Sequence, residues 1–336
     1  MELAAVVVVP TKEHLPAEIG ARGAAFRRPL DAQAFYSSGM PILGNDLLTS
    51  WMEPIRKIGV ASMWLGSGLG EDSEGPDLSH FANQGIERLL VIRLKSYAEM
   101  DLIDLLRFHR ECRNSITHAQ DAQGHLGVSL LDRTALHTPG HHFAGTEGDS
   151  APVCGRTPYE FRGYAKRVLS AKERQELVRD ALLGACAMRP SGTQIRDQVW
   201  IGEGAGIAET ARIIGPAYIG ARTIVREGAT IGPFSSLEND CVVDCGTTVE
   251  ESTLLPRTYL APGLMVRRAQ VDGGLLEDLR SGVIADLTPA ALGSRVPQSR
   301  QDRKSSTAEA RRGSAHASAG APASFSASDP WIQVQL

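Results

Sequence analysis

Three histidines and a cysteine in this 336-residue sequence could offer ligands to a metal ion. His137, His141, His142 and Cys154 lie in one Gly-, Pro- and Thr-rich segment. Imidazole nitrogens and thiolates are the ligands that zinc prefers. Their spacing fits no compact zinc site, however, and segments of this composition are typical of solvated loops. We therefore predict no bound metal here.

The acidic and cysteine residues form no recognisable catalytic pattern. Asp101 stands just before a helical apolar pattern, so Asp101 and Asp104 are better explained as helix-capping residues than as catalytic acids. The five cysteines are odd in number and include no C-x-x-C pair, which argues against a disulfide framework or a zinc ribbon. We predict no catalytic residue among these groups.

The overall composition excludes several classes of partner. Thirty-five basic residues against 39 acidic ones leave a net charge of -4, and 5% of residues are aromatic, so no nucleic-acid surface is expected. No apolar stretch approaches the roughly 20 residues that cross a bilayer. Residues 1–10 lack the basic residues of a signal peptide and are expected to form a buried strand. We predict a cytoplasmic protein with neither nucleic-acid nor membrane partners.

A six-residue repeat dominates the second half of the sequence. An aliphatic residue recurs at every sixth position: Ile195, Ile201, Ile207, Ile213, Ile219, Val225, Ile231, Leu237, Val243, Val249 and Leu255. A small residue stands two positions before most of them: Ala205, Ala211, Ala217, Thr223, Ala229, Ser235, Cys241, Thr247 and Thr253. Stacked rungs that each bury one apolar side chain are typical of solenoids. The repeat predicts a hexapeptide β-solenoid over residues 193–273.

The end of the repeat and the tail after it have different compositions. The aliphatic row shifts by one residue at 254, 260 and 266, which predicts a distorted last coil near Pro262 and Gly263. Residues 274–293 are predicted to form a short helical segment that caps the solenoid. Residues 294–336 are rich in Ser, Ala, Arg, Gln and Gly, which predicts a disordered tail. Its residues 331–334 are interpreted as a docking peptide or, alternatively, a frayed end.

The first half of the sequence alternates strand and helix patterns, which predicts a Rossmann-like α/β domain over residues 1–185. A helix with an internal Pro54 is predicted over residues 46–58, and a capping box at Ser170 and Glu173 begins the last helix. The predicted strands cover residues 4–9, 60–65, 89–94, 115–119 and 127–131, and residues 66–84 are predicted to be a loop.

Three stretches of the sequence, together with this order of parts, resemble the NDP-sugar pyrophosphorylase family, in particular its mannose-1-phosphate guanylyltransferase type. They are M-P-I-L-G-N-D-L-L at residues 40–48, residues 90–92 with D-L-I-D-L-L-R-F-H at 101–109, and residues 161–183. The similarity spans nearly all of residues 1–275. It implies a Rossmann-like nucleotidyltransferase domain followed by a left-handed parallel β-helix.

The phosphate-binding loop of that family is altered in this sequence. Enzymes of the family hold the phosphates of an NTP in a glycine-rich loop directly after the first strand. The most similar segment here lacks the second glycine and has its arginine out of register. The resemblance implies these phosphate-binding candidates: Gly20, Arg22, Gly23, Arg27 and Arg28.

Lysines replace both metal-binding aspartates of the family. Lys95 and Lys166 stand where the resemblance places those aspartates, and residues 36–38 lack the family's activating lysine. A lysine repels Mg²⁺, so no catalytic residue, no metal site and no cofactor are expected. The two lysines are candidates for direct contact with a phosphate, or for ordinary surface ion pairs.

The family framework and the altered motifs together predict a degenerate sugar-nucleotide pyrophosphorylase homologue. It would bind a nucleotide sugar or sugar phosphate, or a catalytic paralogue, and act as a regulatory or scaffold subunit in polysaccharide precursor synthesis. Flat solenoid faces favour a homo-oligomer, or a hetero-oligomer with the catalytic paralogue.

Two alternative functions stay open. An active, Mg²⁺-dependent sugar-1-phosphate nucleotidyltransferase would need a relocated metal site, built from Glu99, Asp101 or Asp104. A hexapeptide acyltransferase uses a histidine of its coils as general base, and the sequence has no histidine between Ile195 and Gly274. This absence disfavours the acyltransferase.

Overall fold

The computed structural model describes residues 3–9, 41–67, 79–136, 157–286 and 331–334 of the chain. It divides the chain into two compact units. The N-terminal unit comprises Met1–Pro190 together with Trp331–Leu336, and the C-terminal unit comprises Ser191–Pro330.

The described part of the N-terminal unit contains both strands and helices. Its first ten strands are β1 (Leu3–Val9), β2 (Pro41–Ile42), β3 (Asn45–Asp46), β4 (Ser62–Ser67), β5 (Arg88–Arg93), β6 (Ser96–Ala98), β7 (Ile116–Asp121), β8 (Gly124–Asp132), β9 (Tyr159–Glu160) and β10 (Ala165–Arg167). Its helices are α1 (Leu47–Lys57), α2 (Ser79–Asn83), α3 (Leu102–Glu111), α4 (Arg133–Leu136) and α5 (Ala171–Leu182).

The described part of the C-terminal unit is made of short strands. They are β11 (Thr193–Arg196), β12 (Val199–Ile201), β13 (Gly206–Ile207), β14 (Arg212–Ile213), β15 (Ala217–Ile219), β16 (Ile224–Val225), β17 (Thr230–Ile231), β18 (Ser235–Leu237), β19 (Val242–Val243), β20 (Thr248–Glu250), β21 (Thr253–Leu254), β22 (Tyr259–Leu260), β23 (Met265–Arg267), β24 (Ala269–Asp272), β25 (Leu275–Asp278) and β26 (Ile284–Asp286). The last strand of the chain, β27 (Trp331–Val334), belongs to the N-terminal unit.

The main sheet of the N-terminal unit is mixed, with the strand order β27-β4-β1-β5-β8-β7-β9. Strands β4, β1 and β5 run parallel to one another. Strand β8 runs antiparallel to both β5 and β7, and β27 runs antiparallel to β4. The predicted strands of this half are confirmed, with ends that differ by a few residues.

Helix α1 shows how the local sequence signals produce these elements. The Asp46 side chain accepts a hydrogen bond from the Leu48 amide at 2.9 Å, which satisfies a backbone donor at the start of the helix. Leu47, Trp51 and Ile55 recur on one face of the helix and are buried there. The predicted helix is therefore confirmed, and it continues through Pro54 to its end.

Helices α3 and α5 begin at the caps that the sequence predicts. The Asp101 side chain accepts from the Ile103 amide at 2.9 Å. At α5, the Glu173 amide donates to Ser170 Oγ at 3.2 Å, and the Ser170 amide donates to Glu173 Oε2 at 2.9 Å. This reciprocal pair is the predicted capping box.

The loop predicted over residues 66–84 is wrong at both of its ends. Strand β4 continues to Ser67, and helix α2 occupies Ser79–Asn83. The helix forms because Phe81 and Ala82 are fully buried, and the Phe81 ring meets Trp64 edge-to-face with ring centroids 5.1 Å apart. Residues 68–78 lie outside the described residues.

The C-terminal unit stacks its short strands into parallel sheets. One sheet contains β12, β15, β18, β21 and β24 in register, a second contains β13, β16, β19 and β22, and a third contains β14, β17, β20 and β23. One aliphatic residue per strand packs into a shared core: Ile219, Val225, Ile231, Leu237, Val243, Val249, Leu254, Leu260, Val266 and Val271. These stacked parallel sheets are consistent with a β-helix-like solenoid.

The length of one coil changes once along the stack. Paired residues of successive coils are 18 apart in sequence where the first member of the pair is Ile231 or earlier, and 17 apart where it is Ser236 or later. One residue is therefore lost between Val249 and Leu254. The predicted shift is confirmed, but it begins well before Pro262, and Leu254 continues the buried row in place of Leu255.

Antiparallel strands lie at both ends of the sheet that contains β12. At the first end, β11 pairs antiparallel with β12, and its Ile195 is 50% exposed. The next members of the predicted row are partly buried (Ile201, Ile207 and Ile213), and the row is fully buried from Ile219 onward. At the other end, β24, β25 and β26 are antiparallel neighbours. The helical segment predicted over residues 274–293 is therefore wrong across its described part. Gly273 and Gly274 form a two-residue connection between β24 and β25, a combination that favours a hairpin.

The prediction of a disordered tail is wrong for residues 331–334. Residues 331–334 form strand β27 on the main sheet of the N-terminal unit. An edge strand offers unpaired backbone groups, and pairing with them orders even a short segment. The rest of the tail, residues 294–330 and 335–336, lies outside the described residues.

Candidate functional site

Strands β1 and β5 are parallel neighbours whose carboxyl ends meet at one edge of the main sheet. Along the chain, the strand of this sheet that follows β1 is β4, which lies on one side of the β1–β5 pair. The strand that follows β5 along the chain is β7, which lies on the other side of the pair. Open α/β sheets bind ligands at such switch points, outside the carboxyl ends of the strands. Arg93 is the last residue of β5, and Lys95 lies in the turn that follows. This edge of the sheet therefore carries two cationic residues.

Two histidines and a serine converge beside the end of β5. His118 on β7 and Ser129 on β8 are cross-strand partners, with His118 Nδ1 2.8 Å from Ser129 Oγ. His125 Nε2 lies 3.2 Å from the same oxygen and 3.3 Å from His118 Nδ1. Ser129 is buried, and the two rings meet edge-to-face with centroids 5.0 Å apart. We call His118, His125 and Ser129 the histidine–serine cluster.

Hydrogen bonding assigns the protons within this cluster. The Gly127 amide donates to His125 Nδ1 at 2.8 Å, so in the neutral ring the proton is on Nε2. That Nε2–H can donate to Ser129 Oγ, whose hydroxyl then donates to His118 Nδ1. The result is a directed chain of donors from the Gly127 backbone to His118.

The charge around the cluster is positive. Burial lowers the pKa of His125 most, and the nearby His118, Lys95, Arg93 and Arg167 lower it further, to about 3. The imidazole of His125 is therefore neutral at physiological pH. Grouped cationic side chains attract anions, phosphates above all.

Gly127 allows β8 to approach the turn after β5. Its φ is +85°, and an added Cβ would lie 2.7 Å from the Arg93 carbonyl oxygen and 3.0 Å from Lys95 Cγ. No side chain fits that distance from a backbone oxygen, so this position requires glycine. The close approach brings Lys95 next to the hairpin that carries the cluster.

Arg167 fixes the turn of that hairpin. Its guanidinium binds both carboxylate oxygens of Asp121, at 2.8 and 3.0 Å, and donates to Gln123 Oε1 and to the Gly124 carbonyl. The Arg167 guanidinium lowers the pKa of the Asp121 carboxyl more than partial burial raises it. This bidentate pair holds the β7–β8 connection, and hence His125, in place.

The two lysines singled out by the sequence have different surroundings. Lys95 lies beside His125 at the end of β5. Lys166 lies on β10 and forms ion pairs with Glu176 at 3.1 Å and Asp180 at 3.5 Å. Partial burial lowers the pKa of Lys166, but these two carboxylates raise it more, so the net shift is upward. The two roles expected for these lysines are a surface ion pair and a phosphate contact. Lys166 forms ion pairs, and Lys95 lies at the candidate site.

The three carboxylates considered for a relocated metal site have other partners. Asp101 caps α3, and Asp104 accepts from Tyr159 at 2.6 Å and pairs with Arg107. Glu99 accepts from Tyr97 at 3.2 Å and from the Ala187 amide. Within the described residues, no group of three or more His, Cys, Asp or Glu side chains could hold a metal ion. The carboxylates therefore do not converge on a common point.

Several predicted site residues lie outside the described residues. They are the phosphate-binding candidates Gly20, Arg22, Gly23, Arg27 and Arg28, and the weighed zinc ligands His137, His141, His142 and Cys154. The first group follows β1 in sequence.

Sequence reasoning did not find the histidine–serine cluster. Its residues carry no motif, because their meeting depends on the register of the β7–β8 hairpin. A signal was nevertheless present. The two adjacent predicted strands at 115–119 and 127–131 would place His118 opposite Ser129 if joined by a hairpin.

Comparison with known proteins gives no assignment for either unit. No protein-family model and no curated protein sequence matches this chain. Among the helices that the structure describes, none has the length and apolar character needed to cross a membrane.

Proposed function

We propose that the N-terminal unit is a Rossmann-like, nucleotidyltransferase-type domain that binds a nucleotide sugar or sugar phosphate without catalysing nucleotidyl transfer. The observation that carries this proposal is the grouping of Arg93 and Lys95 beside the histidine–serine cluster, where β1 and β5 end. Backbone and side-chain donors at such an edge suit a phosphate or diphosphate group.

The charges at this edge favour binding over transfer. Nucleotidyl transfer needs carboxylates that hold Mg²⁺ against the phosphates. Lys95 supplies a positive charge of its own, and the carboxylates of Glu99, Asp101 and Asp104 are engaged elsewhere. A diphosphate can therefore be neutralised by side chains directly, in the absence of a metal ion.

For the C-terminal unit we propose a left-handed β-helix that serves as an assembly scaffold. Regular stacked strands offer flat lateral faces, and solenoids commonly bind partners through such faces. In this proposal the protein is a regulatory or scaffold subunit in polysaccharide precursor synthesis, as a homo-oligomer or together with a catalytic paralogue.

Ligand binding by calorimetry tests this proposal. GDP-mannose, UDP-glucose, ADP-glucose and pyrophosphate are titrated into the full chain, with Mg²⁺ and with EDTA. We expect at least one of them to bind equally well under both conditions. Lys95→Gln should weaken binding by about tenfold or more, because a charge-assisted hydrogen bond contributes about 1.5–3 kcal/mol. Lys166→Gln is the matched control and should leave the affinity unchanged.

Two results would overturn the proposal in different ways. Failure of all four ligands to bind a folded sample would refute the proposed phosphate site. Robust pyrophosphate release from a sugar 1-phosphate and an NTP would instead establish an active transferase, and its loss on replacing Glu99, Asp101 or Asp104 would locate the metal site.

A further inference from the structure

The outer edge of strand β4 is covered by the last strand of the chain. Strand β27 pairs antiparallel with β4 over four residues, from Trp331 opposite Gly66 to Val334 opposite Met63. In the main sheet β4 is otherwise paired on one side alone, with β1. Strand β27 therefore supplies the backbone partners for an edge that would otherwise offer unpaired donors and acceptors.

The connection to β27 is long and ends close to the chain terminus. Forty-four residues, 287–330, separate the end of β26 from Trp331, and two residues follow Val334. Fully extended, 44 residues reach roughly 145 Å.

We propose that the edge of β4 is an exchangeable strand-docking site, and that the C-terminal strand of a second copy of this chain occupies it in the assembled protein. Antiparallel backbone pairing is the same whichever copy provides the strand. A connection of 44 residues is long enough for its strand to pair with the β4 of a neighbouring molecule. Exchange of identical terminal elements is a low-cost route to an oligomer, because each copy regains every hydrogen bond it gives up.

Self-docking and exchange compete through local concentration. A tethered strand has an effective concentration in the millimolar range, so a dilute isolated chain keeps its own strand. Copies held side by side present their strands to each other at a similar concentration. The proposal is independent of ligand binding at the carboxyl edge of β1 and β5.

Cross-linking of paired cysteine variants tests the exchange. Leu65 and Ile332 are direct cross-strand partners, so Leu65→Cys and Ile332→Cys place two thiols opposite each other. The background carries Cys112→Ser, Cys154→Ser and Cys245→Ser. One variant holds Leu65→Cys and a second holds Ile332→Cys. The two are mixed at equal concentration, oxidised, and resolved by non-reducing electrophoresis. We expect a covalent dimer that contains one of each chain.

Two control variants make every result decisive. A chain with both Leu65→Cys and Ile332→Cys reports docking within one molecule. A mixture that uses Glu87→Cys in place of Leu65→Cys, away from β4, should give no dimer. An internal cross-link in the double variant with no mixed dimer at any concentration overturns the exchange. No cross-link in either experiment overturns the docking site itself.

Added peptide provides a second measurement that does not depend on cysteine chemistry. A chain ending at Pro330 should bind a labelled peptide of residues 328–336, and the intact chain should bind it at least tenfold more weakly. In an antiparallel edge strand, the amides of alternate residues donate to the neighbouring strand, and proline has no amide hydrogen to donate. Of the two peptides with Ile332→Pro and Gln333→Pro, the one that loses a donating amide should therefore lose binding, and the other should retain part of it. Equal binding of both proline peptides and the unchanged peptide would contradict strand pairing.

Discussion

The two units place polar side chains in different settings. In the C-terminal unit, charged residues pair with partners one coil away on the surface, as Arg222 does with Asp240 and Arg267 with Glu250. In the N-terminal unit, Ser129 is buried and His118 and His125 converge on its hydroxyl. The repeat reproduces similar surface pairs in successive coils, although it also buries Ser236 and Glu238, where the Ser236 hydroxyl donates to the Glu238 carboxylate at 2.9 Å. The irregular β7–β8 hairpin creates one environment that occurs once.

The largest expected effect separates the inside of the repeat from its outside. Val225 and Ile224 are neighbours on β16, with exposures of 1% and 45%. Val225→Asp should lower the free energy of unfolding by about 4 kcal/mol or more, because it buries a carboxylate in the apolar core. Ile224→Asp should cost less than about 1 kcal/mol. Urea unfolding followed by circular dichroism measures both, and equal losses would contradict the inward–outward alternation.

The next effect concerns the close approach in the N-terminal unit. Gly127 and Gly59 both have positive φ. An added Cβ at Gly127 would clash with the Arg93 carbonyl oxygen, whereas an added Cβ at Gly59 would have no atom within 4 Å. Gly127→Ala should cost about 2–4 kcal/mol and weaken ligand binding. Gly59→Ala should cost about 1 kcal/mol and leave binding unchanged. Thermal unfolding with calorimetry distinguishes them, and an unaltered ligand affinity in Gly127→Ala would separate this turn from the site.

A pH-dependent effect, small near neutral pH and growing as the pH falls below about 6.5, should come from the histidine–serine cluster. The folded pKa of His125, about 3, lies below the value of about 6.5 expected on unfolding. The unfolded chain therefore takes up a proton first as the pH falls. Stability is then lost between about pH 6.5 and 3, by up to about 1.4 kcal/mol per pH unit. His125→Asn, which keeps an acceptor for the Gly127 amide, should flatten this dependence.

Nuclear magnetic resonance gives the direct measurement for this histidine. The ring signals of His125 should not titrate above about pH 4. Titration near pH 6.5 would mean that the ring is hydrated and that the positive surroundings do not act on it.

The smallest effect is expected for the surface pairs of the repeat. Arg222 binds Asp240 through two nitrogens, at 2.6 and 2.7 Å, but both side chains are largely exposed. A double-mutant cycle with Arg222→Ala and Asp240→Ala should give a coupling energy below about 1 kcal/mol, reduced further by 1 M NaCl. A larger, salt-insensitive coupling would show that these pairs stabilise the stack more than the comparison suggests.

Local signals in the sequence predict local structure, and little beyond it. The Asp101 and Ser170 caps and the buried row from Ile219 onward follow from residues close together in sequence, so each could be recognised in advance. The histidine–serine cluster depends on hairpin register, and β27 pairs with a strand more than 260 residues earlier. No spacing rule connects residues that far apart.

The hairpins at the two ends of the eight-stranded sheet limit how this chain can change in length. Strand β11 turns back on β12, and β25 turns back on β24, so neither end of that sheet offers a parallel neighbour for another coil. Growth by duplication must therefore insert whole coils of 17 or 18 residues between existing ones.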